Sequence, residues 1–358
     1  MNSSSQPYQC YHEIVTQATA WRQASEQVLA NQPAIRHFFH DRQPSDILIA
    51  GCGSPYYLGE SAVNYWQSAL RTRCRTLPAS ELVQYEAAYL PPEGGSPVLL
   101  LISRSGATTE TIWAAERFEQ RYPGRTMLVS CAPGSPLDQI AALSILIPDG
   151  LEQTVPQTRS FAAMYLAVQM IAALLAGQES VVDLLRQAPE AAERIIARWE
   201  GAAQRVAGEA GIDHAFYMGA GPLYGVAREG SLKMTEMTLT TCSAYTFMEA
   251  RHGPRAILSA HTLLTGLFGR AAPAEEAKVM ADFVGTDDPV SVALTPAEDW
   301  RTGGARYHIP VGLDWPDAIL GLAYLPVLHL LAYYRAVAKG ANPDVSRNLV
   351  QYIDLNEA

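Results

Sequence analysis

The stretch Pro97-Val98-Leu99-Leu100-Leu101-Ile102-Ser103-Arg104-Ser105-Gly106-Ala107-Thr108-Thr109-Glu110-Thr111 decides the fold. It opens on an unbroken apolar run, the length of a strand, which predicts a β-strand buried on both faces. Hydroxyl residues around one glycine follow, and a helical pattern then continues from about Thr108 to Tyr122. A strand that feeds a helix through a tight turn is the unit of a parallel α/β sheet.

Working outward, the unit recurs. Asp46-Ile47-Leu48-Ile49-Ala50 ends in Gly51-Cys52-Gly53, and a helical pattern runs from about Tyr57 to Leu70. Arg125–Ser130 and Leu143–Ile147 supply two more candidate strands. Residues 8–40 are predicted helical from the spacing of Ile14, Val15, Ala18, Trp21, Val28 and Leu29, and one long helical stretch is predicted from about Arg159 to Gly208. The pattern then restarts: Asp213–Met218 reads as a strand, followed by Gly219-Ala220-Gly221. That G-x-G lies 168 residues after Gly51-Cys52-Gly53, and Thr262–Leu267 lies 164 residues after the Val98 strand. Two self-matches at nearly equal offsets predict a duplicated α/β domain. The expected division is an N-terminal helical segment over 1–29, domains over 30–180 and 200–340, and a C-terminal tail over 341–358 behind a helix ending near Lys339.

The 358 residues carry 26 Lys+Arg against 36 Asp+Glu, a net charge of -10, with 48% hydrophobic and 17% charged residues. That is the balance of a compact soluble protein, and no window clusters five Lys/Arg. An acidic surface disfavours nucleic acid and anionic membrane as partners. No run reaches the roughly 18 consecutive apolar residues of a membrane span, and Met1–Gln6 has no signal-peptide pattern. Five scattered cysteines without C-x-x-C, and eight histidines without H-E-x-x-H, point to reduced thiols in a cytoplasmic protein and to no metal.

Ligands of open parallel sheets bind at the carboxyl ends of the strands, where helix N-termini present N–H groups and partial positive charge. Ser103, Ser105 and Thr108 in one such turn can surround a phosphate without formal cations; ordinary N-capping would need only one of them. The turn lacks the G-K-[ST] of a Walker loop, and Gly51-Cys52-Gly53 lacks the third glycine of a dinucleotide fingerprint, so no nucleotide cofactor is expected. Glu229, Lys233 and Glu236 fall at i, i+4 and i+7 on one helix face, which alone reads as a solvated face with a surface salt bridge. His252, in Glu249-Ala250-Arg251-His252-Gly253-Pro254-Arg255, sits among charges at a Gly-Pro turn, a setting that often holds functional groups. Carboxylate plus imidazole is the pair that moves a proton between adjacent sugar carbons and opens a sugar ring.

Gly51-Cys52-Gly53-Ser54, Ser103–Thr108, Glu229–Glu236 and Glu249–Pro254 resemble, in this order, the SIS (sugar isomerase) domains, in particular the isomerase half of glucosamine-6-phosphate synthase. The resemblance implies two tandem SIS domains, each a parallel sheet flanked by helices, in a homodimer. It implies that Ser103, Ser105 and Thr108 hold a sugar phosphate with main-chain help from Arg104, and that Ser54 lies near the sugar. Glu236 matches the glutamate that moves the C1/C2 proton, Lys233 a lysine beside it, and His252 the ring-opening histidine lent by the neighbouring subunit. Glu152, Val155 and Gln157 match a loop that touches substrate, and Ser346–Gln351 a tail that packs into the site. Four departures stand out. Residue 2 is Asn where the synthase has its cysteine nucleophile, so no glutaminase domain is expected. Gln351 replaces a Schiff-base lysine, and a neutral amide forms no imine. Arg104 replaces a neutral amide, and Pro55 a hydroxyl. The expectation is aldose–ketose isomerisation of an amino or N-substituted hexose 6-phosphate, with or without loss of the amine, as in the deaminases and deglycases that the resemblance also covers. The alternative is a non-catalytic sugar-phosphate sensor, though residues 1–45 are too short and not basic enough for the DNA-binding domain such regulators carry.

Overall fold

The computed structural model describes residues 8–91 and 94–355. Three helices come first, α1 (Gln9–Val15), α2 (Gln17–Ala30) and α3 (Gln32–Arg42). The first sheet follows as β1 (Asp46–Gly51), α4 (Ser54–Leu70), β2 (Arg73–Pro78), α5 (Ala79–Gln84), α6 (Glu86–Tyr89), β3 (Pro97–Ser103), α7 (Thr109–Arg121), β4 (Thr126–Ser130), α8 (Pro136–Ile140) and β5 (Leu143–Leu146). Then come α9 (Arg159–Leu175), α10 (Glu179–Arg186) and α11 (Ala188–Ala207). The second sheet is β6 (His214–Gly219), α12 (Pro222–Thr238), β7 (Thr241–Tyr245), α13 (Phe247–Ala250), β8 (Thr262–Leu267), α14 (Pro273–Asp287), β9 (Val290–Thr295) and β10 (Tyr307–Pro310), closed by α15 (Asp317–Ala338).

Every strand pair is parallel, and the orders are β2-β1-β3-β4-β5 and β7-β6-β8-β9-β10. The second order repeats the first strand for strand, so the predicted duplication is the architecture. Each order reverses direction beside its first strand, and the crevice there, at the carboxyl ends of β1 and β3 or of β6 and β8, is the ligand position of a doubly wound sheet. The G-x-G turns have the same geometry in both copies. Gly53 and Gly221 adopt φ +61° and +54° as N-caps of α4 and α12. A Cβ on Gly51 would meet Pro55 at 2.5 Å, and one on Gly219 would meet the Leu223 carbonyl at 2.4 Å. Glycine at both is therefore what lets strand and helix pack this closely.

The chain forms two compact units. One comprises Thr19–Leu151, Ser160–Pro189 and the residues from Tyr352; the other comprises the residues up to Ala18, Glu152–Arg159 and Glu190–Gln351. In the first, Leu48, Ala50, Leu99, Leu101 and Leu128 pack one sheet face against Ala114, Ala115 and Phe118 of α7. α9 is buried nearly throughout, and Trp66 of α4 donates to the Val168 carbonyl at 3.2 Å. In the second, Phe216, Met218, Leu264 and Ala293 meet Met280 and Phe283 of α14. On its other face α12 lies between β6 and α15: a Cβ on Gly230 would sit 3.2 Å from the Tyr217 ring and 3.3 Å from Leu328. α15 is apolar and long enough to cross a membrane, but 83% of its most apolar window is buried inside the protein, as a core helix.

Two expectations need correction. The single helix over 159–208 is three helices: Gly177 takes φ +67° and Gln178 N–H bonds back to the Ala173 carbonyl, a left-handed helix stop, and the chain breaks again at Gln187. The helical segment over 8–40 breaks at Thr16 and Asn31. In the second unit Asp344 caps α1, its carboxylate accepting the Gln9 and Cys10 N–H groups at 2.9 and 2.7 Å, a contact of the kind that contributes about 1 kcal/mol.

Candidate functional site

In the first unit the turn after β3 stands at the switch point. Ser103 and Arg104 are buried, Ser105 and Thr108 half-buried. Ser103 Oγ accepts the Gly106 N–H at 3.1 Å and Ser105 Oγ the Ala107 N–H at 3.2 Å, which shapes the loop. Thr108 is the N-cap of α7, yet its hydroxyl makes no capping bond. Routine capping therefore does not account for it. The next N–H, of Thr109, goes to the Ile353 carbonyl at 3.2 Å, and Leu355 N–H donates to Thr109 Oγ1 at 3.0 Å, so the C-terminal segment is seated on the start of α7. Ser54 is buried at the first position of α4, across the switch point. The sequence reading missed Ser130 and Ser135. Ser130 Oγ donates to the Arg104 carbonyl at 3.4 Å. Ser135 Oγ is buried with no partner, in the space a Cβ on Gly106 would need. Ser130 ends β4 and Ser135 follows it, so a second serine-bearing strand end was the available signal.

In the second unit the helix face of α12 is not solvated. Lys233 and Glu229 are fully buried, because α15 covers the face that the i, i+4, i+7 spacing alone assigned to water. Lys233 Nζ lies 3.4 Å from Glu229 Oε1 and donates to Glu236 Oε2. Glu236, with its side chain 14% exposed, is the one end of the triad that solvent reaches. Burial works against the ammonium, but the Glu229 and Glu236 carboxylates outweigh it and hold the Lys233 pKa above its ordinary value. Lys233 is therefore a cation and no nucleophile. His329 of α15 is fully buried with neither ring nitrogen bonded; burial, then the Lys233 charge, push it down to about 3 and keep it neutral. Burying an ion costs several kcal/mol, and a buried pair is often no more stable than apolar residues of the same shape. A charged triad of this kind thus points to a task other than stability.

The loop 152–159 belongs to the same unit. Glu152 is buried and turned inward, accepting the Thr158 N–H at 2.5 Å and hydroxyl at 2.9 Å. Its charge also acts on Lys233. Val155 and Gln157 are half-buried, and the Gln157 amide oxygen has no hydrogen-bond partner. The loop is held by Glu13 of α1, a residue the sequence reading passed over. Glu13 is fully buried, accepts the Gln153 N–H at 2.7 Å and the Thr154 hydroxyl, and lies 3.8 Å from Arg159. Gln351 donates to the Gln153 carbonyl at 2.8 Å. His252 stands apart: it is exposed in the turn after α13, and among the described residues its ring makes no hydrogen bond or ion pair.

The fold and these features define a tandem α/β protein with a hydroxyl-lined turn at one switch point and a buried lysine–carboxylate triad on the helix after the other. Residues 42–174 match the SIS domain family, and the second sheet repeats the strand order of the first. It is 26% identical over 313 residues to an isomerizing glutamine–fructose-6-phosphate aminotransferase of Legionella pneumophila, covering 86% of this chain and 51% of the relative. An Aeropyrum pernix protein of the same name is 26% identical over 377 residues, covering 97% and 57%. The chain thus spans about half the length of the curated relatives it matches. Its fold matches the Escherichia coli tagatose-6-phosphate ketose/aldose isomerase (TM-score 0.87, 20% identity, 97% of this chain and 98% of that one). It also matches a Thermotoga maritima glucosamine-6-phosphate deaminase (TM-score 0.72, 23% identity, 92% and 99%).

Proposed function

We propose that this chain is a cytoplasmic phosphosugar isomerase of the SIS type, acting on an amino or N-substituted hexose 6-phosphate without a cofactor. The observation that carries the reading is Lys233, a buried cation clamped between Glu229 and Glu236 with only Glu236 reaching solvent. A carboxylate so oriented can take the proton from C2 of an open-chain aldose and return it at C1 through an enediol. The base is regenerated and nothing is consumed. Where C2 bears an amine, the same shift leaves an imine at C2; water adds, ammonia leaves and a ketose remains. Isomerase and deaminase thus share one proton transfer, in keeping with relatives and neighbours named for both activities.

In this reading Ser103, Ser105 and Thr108 hold the phosphate with Arg104 main-chain help, and Ser54, Glu152, Val155 and Gln157 surround the sugar. Lys233 orients Glu236. His252 opens the ring as the contribution of a partner subunit in a homodimer. Gln351 anchors the tail to loop 152–159, so covalent capture of a ketose at this position is not part of the chemistry. The test is a panel of hexose and hexosamine 6-phosphates assayed for ketose and for ammonia, with Glu236→Gln as control. Turnover of an amino or N-substituted member, falling about 10²–10⁴-fold in Glu236→Gln with substrate binding retained, is the expected result. Binding without turnover by the unaltered chain would instead select the sensor.

A further inference from the structure

We infer that the second sheet keeps a copy of the phosphate turn whose place is taken by the protein's own carboxylates, Asp317 and Glu276, so that phosphate is taken up at the first turn alone. The inference rests on the reading of Ser103–Thr108 as a phosphate turn. The strand registers give the correspondence. Asp46 pairs with Pro97 across β1 and β3, and His214 pairs with Thr262 across β6 and β8. Asp46 and His214 each open the strand before a G-x-G, so Pro97 corresponds to Thr262. Arg104, Ser105 and Gly106 then correspond to Gly269, Arg270 and Ala271.

At those three positions every backbone N–H meets a carboxylate oxygen. Gly269 donates to Glu276 Oε2 at 2.9 Å, Arg270 to Asp317 Oδ1 at 2.8 Å and Ala271 to Asp317 Oδ2 at 3.1 Å. Consecutive amides converging on carboxyl oxygens make up an anion nest, here already filled by Asp317 with Glu276 beside it. A Cβ on Gly269 would lie 3.1 Å from Asp317 Oδ2, so the missing side chain is what admits the carboxylate. Arg270 holds Asp317 in place: its guanidinium donates to the Trp315 and Leu313 carbonyls at 2.8 and 3.2 Å and pairs with Asp314 at 2.8 Å. The second copy also lacks the hydroxyls of the first, with Phe268, Arg270 and Pro273 where the first has Ser103, Ser105 and Thr108. Glu276 is buried, which raises its pKa to about 8 against the pull of the Gly269 N–H, and the Asp317 charge adds to the rise. At neutral pH the nest thus holds the charge of Asp317 while Glu276 keeps its proton.

Equilibrium dialysis of the full chain against labelled inorganic phosphate tests this, with circular dichroism and thermal melting on the same samples. The unaltered chain is expected to bind a single phosphate, lost in the Ser103→Ala/Ser105→Ala double variant. Asp317→Ala is expected to double the bound phosphate, and the gained site to survive the two serine changes. Asp317→Ser, which removes the charge but leaves a hydroxyl, covers the case in which alanine does not fold. Folded Asp317 variants that bind no more than the unaltered chain overturn the inference. So does an unaltered chain that binds two phosphates, one of them indifferent to the serine changes. An unaltered chain that binds none, beside an Asp317 variant that binds one, overturns uptake at the first turn and upholds only the filled second nest.

Discussion

Lys233 shows how far a single residue's spacing carries. The sequence puts Glu229, Lys233 and Glu236 on one face, and the structure keeps that face but inverts its environment, since α15 lies over it. Periodicity reports which residues share a side of a helix; only the partner helix, which begins 84 residues after Lys233, decides whether that side is wet. The burial has a measurable consequence. Lys233→Met removes the cation and leaves Glu229 buried without it, and loss of one partner of a buried pair costs about 3–5 kcal/mol. Urea denaturation is expected to show that loss, and the Glu229→Gln/Lys233→Met double variant to recover much of it. A cost below about 1 kcal/mol in the single variant would mean the triad is solvated after all. Glu13 teaches the converse. Its hold on Gln153 and Thr154 spans some 140 residues of chain, so no local pattern around Glu13 could reveal it.

At the scale of elements, the strands legible in the sequence were those with dense apolar runs, and β1, β3, β4 and β8 are buried along their whole length. β2 (Arg73-Cys74-Arg75-Thr76-Leu77-Pro78), β7 (Thr241-Cys242-Ser243-Ala244-Tyr245) and β10 (Tyr307-His308-Ile309-Pro310) lie at sheet edges, half-buried and polar, and gave no such run. β9 is central and buried, but its apolar run is broken by Ser291. The turn after β3 was legible because its hydroxyls are clustered. Its counterpart before α14 was not, because its donors are backbone amides and its carboxylates come from α14 and from α15. That second nest sets a pH dependence. Glu276 keeps its proton to about pH 8 when folded but only to the ordinary carboxyl range when unfolded, so the native state binds more protons between those limits. Stability therefore falls as pH rises through that window. Glutamine has no proton to lose. Glu276→Gln is expected to gain on the unaltered chain between about pH 5 and about pH 9, on the order of a few kcal/mol in urea denaturation. A constant difference across that range would show that Glu276 does not titrate there.

At the scale of the molecule, duplication was legible from two offsets, but the interleaving of the units was not: residues up to Ala18 and Glu152–Arg159 join the second sheet, and the residues from Tyr352 join the first. Composition records what a chain buries, not which sheet each segment joins. The exposed His252, remote in bonding from the Lys233 triad, makes the proposed subunit exchange testable. Glu236→Gln and His252→Asn chains are each expected to be inactive, while dimers re-formed from an equal mixture should regain about a quarter of the activity, since half of them pair one intact glutamate with one intact histidine. No recovery, with exchange confirmed by mass, would place both residues in the same chain's site.

The Asp344 cap on α1 has a consequence in time. The N–H groups of Gln9 and Cys10 wait for a carboxylate 335 and 334 residues later in the chain. At about 5–20 residues per second, a ribosome takes roughly 20–70 s to deliver it. For that interval α1, and with it the Glu13 that steadies loop 152–159, lacks its closing contact. The unit bearing the lysine–carboxylate triad thus gains this contact only once Asp344 has been made, and a nascent chain stalled before Asp344 should present α1 to proteases that the capped helix resists.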